Sequence, residues 1–223
     1  MRQCGTRRGM KAETGAPRPE SMDNRLGAAT PASGILAVDL DGTLIATDLL
    51  LESFRSACRR DVLTPARAGW ALLRGGRPGL KRALAASGPL EPAALPYNAA
   101  VISYVRTWRQ NGGRAALVTA ADHGLAEAVA RHVAIFDEVH GTRPGHNLKG
   151  AAKARFLVDR FGDAGFVYVG DSAADLDVWA HARGGVTVGA SARLRARVEA
   201  LGRPVEHLPG ARAAGAPKAV VWR

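Results

Sequence analysis

Residues 35–44 read ILAVDLDGTL: four apolar residues, then two aspartates two positions apart, then a Gly-Thr turn. The short, uninterrupted apolar run indicates a strand buried on both faces, as in a parallel sheet. Asp39 and Asp41 would repel each other at the end of that strand. They are interpreted either as a turn that closes the strand or as part of a metal-dependent site, and the rest of the chain decides between the two.

The strand signal recurs along the chain, with helical stretches in between. Further strands are predicted at residues 114–119, 138–140, 165–169 and 185–188. Helices are predicted at residues 98–110, 124–132, 149–161 and 174–182. Strands that alternate with helices over short connections predict an α/β fold, with a doubly wound, mostly parallel sheet covered by helices on both faces.

Residues 47–97 break this alternation because they contain no convincing strand. Helices are predicted there at residues 49–60, 65–74 and 80–87, separated by Gly- and Pro-rich breaks. This segment is interpreted as a small α-helical cap inserted into a catalytic core made of residues 34–46 and 98–190.

Three large apolar residues of the predicted cap allow two interpretations. Trp70, Leu72 and Leu73 are assigned to the interior of the cap, where helices normally bury such side chains. The alternative is an exposed apolar face that meets a lipid-like substrate.

The positive charge of the chain lies mainly at its two ends. The 223 residues carry a net charge of +11, of which +3 falls in residues 1–33 and +5 in residues 191–223. The first range is predicted to be a disordered basic tail and the second a basic C-terminal helix or tail. Because no aromatic–basic stacking pattern accompanies the charge, a nucleic-acid partner is not favoured, and an anionic membrane surface suits the tails at least as well. We expect a cytoplasmic location, with peripheral membrane association as an option.

Acidic and hydroxyl side chains follow three of the predicted strands. Asp39 and Asp41 follow the first, Thr119 ends the second, and Asp171 and Asp175 follow the fourth. In a doubly wound sheet, ligands bind at the carboxyl ends of the strands, so these side chains should converge. Clustered carboxylates resist ionising together unless a cation binds them, and Mg²⁺ prefers such ligands. We expect Asp39 and Asp171 to be side-chain ligands, with the main-chain carbonyl of Asp41 as a third.

A lysine near the start of the predicted helix 149–161 fits the same site. A cation there could neutralise both a carboxylate nucleophile and a transferring phosphoryl group, while Thr119 donates a hydrogen bond to a phosphoryl oxygen. Lys149 and Lys153 both qualify, and the Asn-Leu-Lys-Gly context favours Lys149.

The residues that carry chemistry occur in the order of a known set of four motifs. They are Asp39-Leu40-Asp41-Gly42-Thr43, Thr119, Lys149, and Gly170-Asp171 with Asp175. Over residues 35–188 the chain resembles the haloacid dehalogenase-like hydrolases. The resemblance implies that Asp39 is the nucleophile that forms an aspartyl-phosphate. It also implies that Asp41 protonates the leaving alcohol and then activates water.

The resemblance gives the other residues supporting roles. Thr119 and Lys149 hold the phosphoryl group, Asp171 completes the metal site, and Asp175 supports Lys149 or the water shell of the metal. The expected substrate contacts are Asp48, Gly42 and Ala120. Asp48 could equally well be the N-cap of the first cap helix, and Asp175 could simply cap the helix 174–182.

The predicted function is a Mg²⁺-dependent phosphatase that acts on a small phosphorylated molecule. The cap resembles that of the small-cap group that includes phosphoserine phosphatases. Residues 47–50, 95–98, 147–150 and 217–223 resemble phosphatase-like domains fused ahead of UbiA-type prenyltransferases. This narrower resemblance implies a prenyl- or sugar-linked phosphate and association with a membrane or a prenyltransferase. The alternative is a non-catalytic domain whose basic tails bind a membrane surface, a prenyltransferase or nucleic acid.

Overall fold

A six-stranded, all-parallel sheet forms the centre of the fold. The computed structural model describes residues 34–48, 63–86 (backbone only from 77), 91–144 and 147–211, and the single positions 52, 54, 58 and 61. The strands are β1 (Ile35–Val38), β2 (Arg114–Asp122), β3 (Glu138–Thr142), β4 (Phe166–Gly170), β5 (Gly184–Val188) and β6 (Val205–Leu208). Their order is β3-β2-β1-β4-β5-β6, and every pair is parallel. Since the order reverses beside the central β1, the predicted doubly wound α/β fold is confirmed.

Helices connect the strands. They are α1 (Thr64–Ala86), α2 (Ala99–Gln110), α3 (His123–Val133), α4 (Ala151–Phe161), α5 (Leu176–His181) and α6 (Ala192–Glu199), with short 3₁₀ turns at Pro92–Ala94 and Ala173–Asp175. Three helices begin at a capping side chain: Asn98 before α2, Asp122 before α3 and Ser191 before α6 each accept a backbone N–H of the first turn. Such caps explain why these helices start directly after Asn98, Asp122 and Ser191.

The side chains of β1 alternate between two apolar cores. Leu36 and Val38 pack with residues of α2 and α3 on one face of the sheet. Ala37 packs with residues of α4, α5 and α6 on the other face. Because both faces are covered, the strand needs an uninterrupted apolar run, which is what residues 35–38 provide.

The sixth strand was not predicted. Residues 191–223 were predicted to be a basic helix or tail, whereas α6 is followed by β6, which pairs with β5. The strand reads Val-Glu-His-Leu, and its interior polar residues hide the strand signal at the edge of the sheet. His207 hydrogen bonds to Thr187 Oγ1 at 2.7 Å and to Glu199 Oε1 at 2.8 Å, which ties β6 to β5 and α6.

The region between β1 and β2 is helical where the structure describes it. The helices predicted at 65–74 and 80–87 are the two helical parts of α1, which are separated by a kink at Gly76 (φ 58°, ψ −157°). Of the helix predicted at 49–60, only positions 52, 54 and 58 are described, and all three are helical. Residues 1–33 and 212–223 lie outside the described residues, so the division into tails, core and cap stays a prediction. Within the described ranges, no helix combines the length and apolar character needed to cross a membrane.

Candidate active site

The sheet brings the predicted site residues to one edge. Asp39 directly follows β1, and its backbone N–H donates to the Val169 carbonyl of β4 at 3.0 Å. The pairing of β1 with β2 and β4 sets the level of the other two residues in the sheet. Thr119 on β2 and Asp171 after β4 each come one residue after the position that lies beside Asp39. Residues from three neighbouring strands therefore lie side by side toward the carboxyl edge of the sheet, as expected, although β2 continues past Thr119 to Asp122.

Three carboxylates cluster there. Asp39, Asp171 and Asp175 each offer one oxygen, and these oxygens lie within 4.8 Å of one another. Asp39 and Asp175 are buried (8% and 3% exposed), while Asp171 is half-buried. Burial, together with the charges of Asp39 and Asp175, raises the pKa of Asp171 to about 7. Burial also raises the pKa of Asp39, against the opposing charge of a lysine. The cluster thus has an excess of negative charge that a divalent cation with oxygen ligands would neutralise.

Lys153 supplies a positive charge at this cluster. Its Nζ donates to Asp39 Oδ1 at 2.8 Å and to the Tyr168 hydroxyl at 2.9 Å, and lies 3.5 Å from Asp175 Oδ1. The side chain is buried (4% exposed), and burial alone would lower its pKa. The two carboxylates outweigh burial and raise the pKa of Lys153, so the ammonium stays charged.

The preference for Lys149 as the site lysine was therefore wrong. Gly150, with φ 53°, forms the N-cap of α4, so Lys149 precedes the helix and its side chain is exposed. Lys153 lies in the first turn of α4, on the side that packs on the sheet with Ala154 and Leu157. Both lysines match the sequence pattern, and only the start of the helix decides which of them reaches Asp39.

Tyr168 is a site residue that the sequence analysis missed. Its hydroxyl accepts from Lys153 and donates to Asp175 Oδ1 at 2.8 Å. Burial, followed by the charges of Asp39 and Asp175, raises the pKa of Tyr168 well above its usual value, so the phenol keeps its proton. In the apolar strand FVYVG it resembles a core residue. One signal was available in the sequence: a buried tyrosine hydroxyl needs a hydrogen-bond partner. Here the partners are the side chains of Lys153 and Asp175.

Asp175 caps the 3₁₀ turn Ala173–Asp175 and not α5, to which its side chain makes no capping hydrogen bond. Its Oδ2 accepts from the backbone N–H of Ser172 at 3.2 Å and from the Ser172 hydroxyl at 3.1 Å, which completes a capping box. Its Oδ1 accepts from Tyr168 and faces Lys153. The residue therefore caps the turn after β4 and supports Lys153 rather than Lys149.

The Gly42-Thr43 turn positions Asp171. Thr43 Oγ1 donates to Asp171 Oδ1 at 3.3 Å. Gly42 has φ +76°, and a Cβ atom added there would lie 2.2 Å from Asp171 Oδ2. Glycine is required at this position both by the positive φ and by the close approach of the carboxylate.

The other predicted residues lie at or near the same edge. Thr119 is buried, and its Oγ1 accepts from the backbone N–H two residues on at 3.0 Å, so its own O–H can still donate. Asp41 and Ala120 are half-buried. Asp48 is exposed, and its backbone carbonyl accepts from the N–H four residues on, as at the start of a helix. The ligand role of Asp41 and the substrate contacts of Asp48, Gly42 and Ala120 stay predictions.

The fold recurs in solved structures of low sequence identity. A haloacid dehalogenase family hydrolase, t0658 from Salmonella enterica serovar Typhi, superposes with a TM-score of 0.57 at 17% identity, over 81% of this chain and 68% of that one. A probable phosphoserine phosphatase from Vibrio cholerae superposes with a TM-score of 0.54 at 16% identity, over 74% of this chain and 58% of that one. These likenesses concern the fold alone.

Two sequence comparisons are more specific. A Sinorhizobium fredii protein named "Uncharacterized protein y4nM" is 38% identical over 175 residues, which is 78% of this chain and 33% of that protein. The chain thus spans about a third of the length of this relative. Residues 36–180 match the haloacid dehalogenase-like hydrolase family, and this range includes the carboxylate cluster and Lys153. With this match over more than half of its length, the chain belongs to the haloacid dehalogenase-like hydrolases.

Proposed function

We propose that the chain is a Mg²⁺-dependent phosphatase that hydrolyses a phosphate monoester through an aspartyl-phosphate on Asp39. The observation that carries the proposal is the cluster of Asp39, Asp171 and Asp175 oxygens within 4.8 Å of one another, with the Lys153 ammonium 2.8 Å from Asp39 Oδ1. Carboxylate oxygens close enough to share a divalent cation, beside an ammonium, would provide through these two cations the charge neutralisation that phosphoryl transfer demands.

The hydrogen bonds of the cluster suggest which carboxylates would hold the ion. Asp175 accepts from Ser172 and Tyr168 and faces Lys153, so its oxygens already have partners. Asp39 and Asp171 would therefore hold Mg²⁺ with their side chains, together with the main-chain carbonyl of Asp41. Bound there, the ion supplies neutralisation of the carboxylate and phosphate charges.

In the first step, a carboxylate oxygen of Asp39 attacks the phosphorus. The bond between phosphorus and the ester oxygen breaks, and Asp41 gives its proton to the leaving alcohol. In the second step, Asp41 takes a proton from water as the water oxygen attacks the phosphorus. Phosphate leaves and the Asp39 carboxylate is restored. Protonation of a leaving alcohol favours a phosphatase over a dehalogenase, because halide leaves without a proton.

Lys153 and Thr119 assist both steps in this proposal. The Lys153 ammonium already contacts Asp39, so it can stabilise negative charge on the phosphoryl oxygens without moving far. The Thr119 hydroxyl can donate to a phosphoryl oxygen. The substrate remains a small phosphorylated molecule, with prenyl- and sugar-linked phosphates as the candidates that the resemblance to UbiA-fused domains suggests.

The test is hydrolysis of a panel that contains p-nitrophenyl phosphate, phosphoserine, a sugar phosphate and a prenyl phosphate. We expect activity that requires Mg²⁺ and is lost in EDTA. Asp39→Asn should lower turnover by about 10³-fold or more, because the amide is not a nucleophile. Asp159→Asn, an exposed carboxylate on α4, serves as the matched control and should stay within about twofold.

Two results would contradict the proposal. Asp39→Asn protein that keeps its activity would exclude an aspartyl-phosphate at this position. If the whole panel, with Mg²⁺ present, gave no hydrolysis, the non-catalytic alternative would be favoured instead.

A further inference from the structure

In the part of helix α1 whose side chains are described, residues 64–76, the large apolar side chains are exposed and small ones are buried. Leu63, directly before the helix, is 56% exposed, and Trp70 and Leu73 are 59% and 84% exposed. Its buried residues in the described part of the chain are Thr64 and Ala68, at 3% and 4%. The assignment of Trp70 and Leu73 to the interior of a cap was therefore wrong. An amphipathic helix that packs on its own domain would show the opposite arrangement.

Three of the four large exposed apolar residues form one stripe. At about 100° per residue, Leu63, Trp70 and Leu73 fall within an arc of about 80°. Arg67 and Arg74 lie on one flank of this arc, and the Arg74 guanidinium lies over the Trp70 ring at 4.3 Å from its centroid. We call these five residues the α1 stripe.

Leu72 is also exposed, at 45%, but it lies off the α1 stripe. It points about 160° away from Trp70 around the helix axis. Like Trp70 and Leu73, it was assigned to the cap interior, and its exposure corrects that assignment too. Its position makes it a control for substitutions in the stripe.

The sequence around the α1 stripe is positive throughout. Residues 62–90 contain five Lys or Arg and no Asp or Glu. The nearest carboxylate before them, Asp61, forms an exposed ion pair with Arg67 at 2.7 Å, and such a pair is weak in water. Two copies of this surface would repel each other, whereas an anionic surface with an apolar interior would attract both the charge and the stripe.

We propose that the α1 stripe binds the surface of an anionic lipid bilayer. The helix would lie in the plane of the interface, with Leu63, Trp70 and Leu73 between the lipid headgroups and acyl chains. Arg67 and Arg74 would contact lipid phosphates. A tryptophan between basic residues suits this depth, because its ring is apolar and its N–H needs a polar partner. The inference goes beyond the proposed phosphatase activity and does not depend on it.

The test uses the full chain and vesicles of phosphatidylcholine, alone or mixed with phosphatidylglycerol. A Trp222→Phe background removes one indole, and Trp108 and Trp179 are buried at 5% and 1% exposure, so Trp70 reports the change. We expect its emission to shift to the blue and to be quenched by brominated lipid, with the mixed vesicles only. Co-sedimentation should weaken as salt is added, because salt screens the attraction.

Variants then locate the contact. Trp70→Ser with Leu73→Ser should lower the partition coefficient at least about tenfold, since two large apolar side chains no longer insert. Arg74→Gln should lower it about fivefold, the factor expected for one basic residue near an anionic surface. Leu72→Ser, off the stripe, should change it less than about twofold. Far-UV circular dichroism checks that each variant is folded.

Three outcomes would overturn the proposal. The first is no binding of the parent chain to the mixed vesicles. The second is equal binding by the double variant, which would place the contact elsewhere on the chain. The third is self-association without lipid that the double variant abolishes, because the stripe would then be an interface between copies. The fluorescence test uses a chain whose α1 stripe is not substituted. Its result therefore stands even if a stripe variant fails to fold.

Discussion

The carboxyl edge of the sheet and the exposed side of α1 depart from the usual distribution of side chains in opposite ways. At the sheet edge, the ionisable side chains of Asp39, Asp175 and Lys153 are buried. On α1, Trp70 and Leu73 are apolar and exposed. Each arrangement is unfavourable for the isolated protein. Ionisable groups lose their hydration when they are buried, and apolar groups that stay exposed keep an unfavourable contact with water. The two proposals rest on this difference: a small cation and a phosphate ester are proposed for the edge, and an anionic lipid surface for α1.

The two regions also differ in how firmly they are held. The edge residues contact one another through defined hydrogen bonds, including those from Lys153 to Asp39 and to Tyr168. In the α1 stripe, Trp70 and Leu73 are 59% and 84% exposed, and the ion pair of Arg67 with Asp61 is itself exposed. Substitutions at the edge should therefore change the stability of the isolated protein, while substitutions in the stripe should change it only slightly.

The largest effect is expected for Lys153→Met. It leaves the buried carboxylates of Asp39 and Asp175 without their ammonium, which costs about 3–5 kcal/mol of unfolding free energy. Lys149→Met is the matched control and should stay within about 0.5 kcal/mol, because that side chain is exposed. Chemical denaturation of both variants in EDTA measures the difference. Equal losses of unfolding free energy in the two variants would contradict the structure, in which Lys153 contacts Asp39 and Lys149 is exposed.

Asp171→Asn should have a smaller effect of the opposite sign. A pKa of about 7 in the folded protein means that the ionised carboxylate destabilises the fold at higher pH. At about pH 8 and without metal, the amide should raise the unfolding free energy by about 1–2 kcal/mol, a value reduced for the partial exposure of the group. Thermal unfolding with and without Mg²⁺ measures it. Mg²⁺ should raise the unfolding free energy of the parent chain and raise that of the variant only a little. An equal increase in both proteins would show that the ion binds at another place.

Tyr168→Phe should lower the unfolding free energy by about 1–2 kcal/mol, because Lys153 and Asp175 each lose a hydrogen bond. Tyr97→Phe is the control, since its hydroxyl donates to the Pro92 carbonyl at 3.0 Å and its loss costs a similar amount. Only Tyr168→Phe should also reduce kcat severalfold at unchanged KM, because it loosens the lysine that contacts Asp39. Equal kcat in both variants would leave Tyr168 a structural residue.

The smallest effect is expected for Leu73→Ser in the absence of lipid. The side chain is 84% exposed, so its removal should change the unfolding free energy by less than about 0.5 kcal/mol. A loss of more than about 2 kcal/mol would show that the residue packs against the protein, and the contrast between the edge and the stripe would fail.

The sheet was predictable because its strands have a strong local signal. Residues 35–38 and 166–170 are apolar runs that end in polar residues, and the strand-end rule then places Asp39 and Asp171 together. The same reasoning missed β6, whose polar interior resembles a loop. It also ended β2 at Thr119, although the strand continues to Asp122.

The errors at the site and on α1 share a physical cause. The choice between Lys149 and Lys153 depends on where α4 begins, and a motif does not record that start. Tyr168 has the pattern of a core residue until its hydroxyl partners are known. On α1, periodicity indicates a helix with an apolar stripe, but which side meets the domain depends on tertiary neighbours that a local pattern does not contain.

The most direct test of the central claim is to trap the covalent intermediate. The protein is quenched with acid during turnover of a phosphate ester with Mg²⁺, reduced with borohydride and analysed by peptide mass spectrometry. Reduction of an aspartyl-phosphate releases phosphate and leaves homoserine. We predict homoserine at position 39, only when substrate and Mg²⁺ are both present. Homoserine at another aspartate, or steady phosphate release with position 39 always unmodified, would contradict the account.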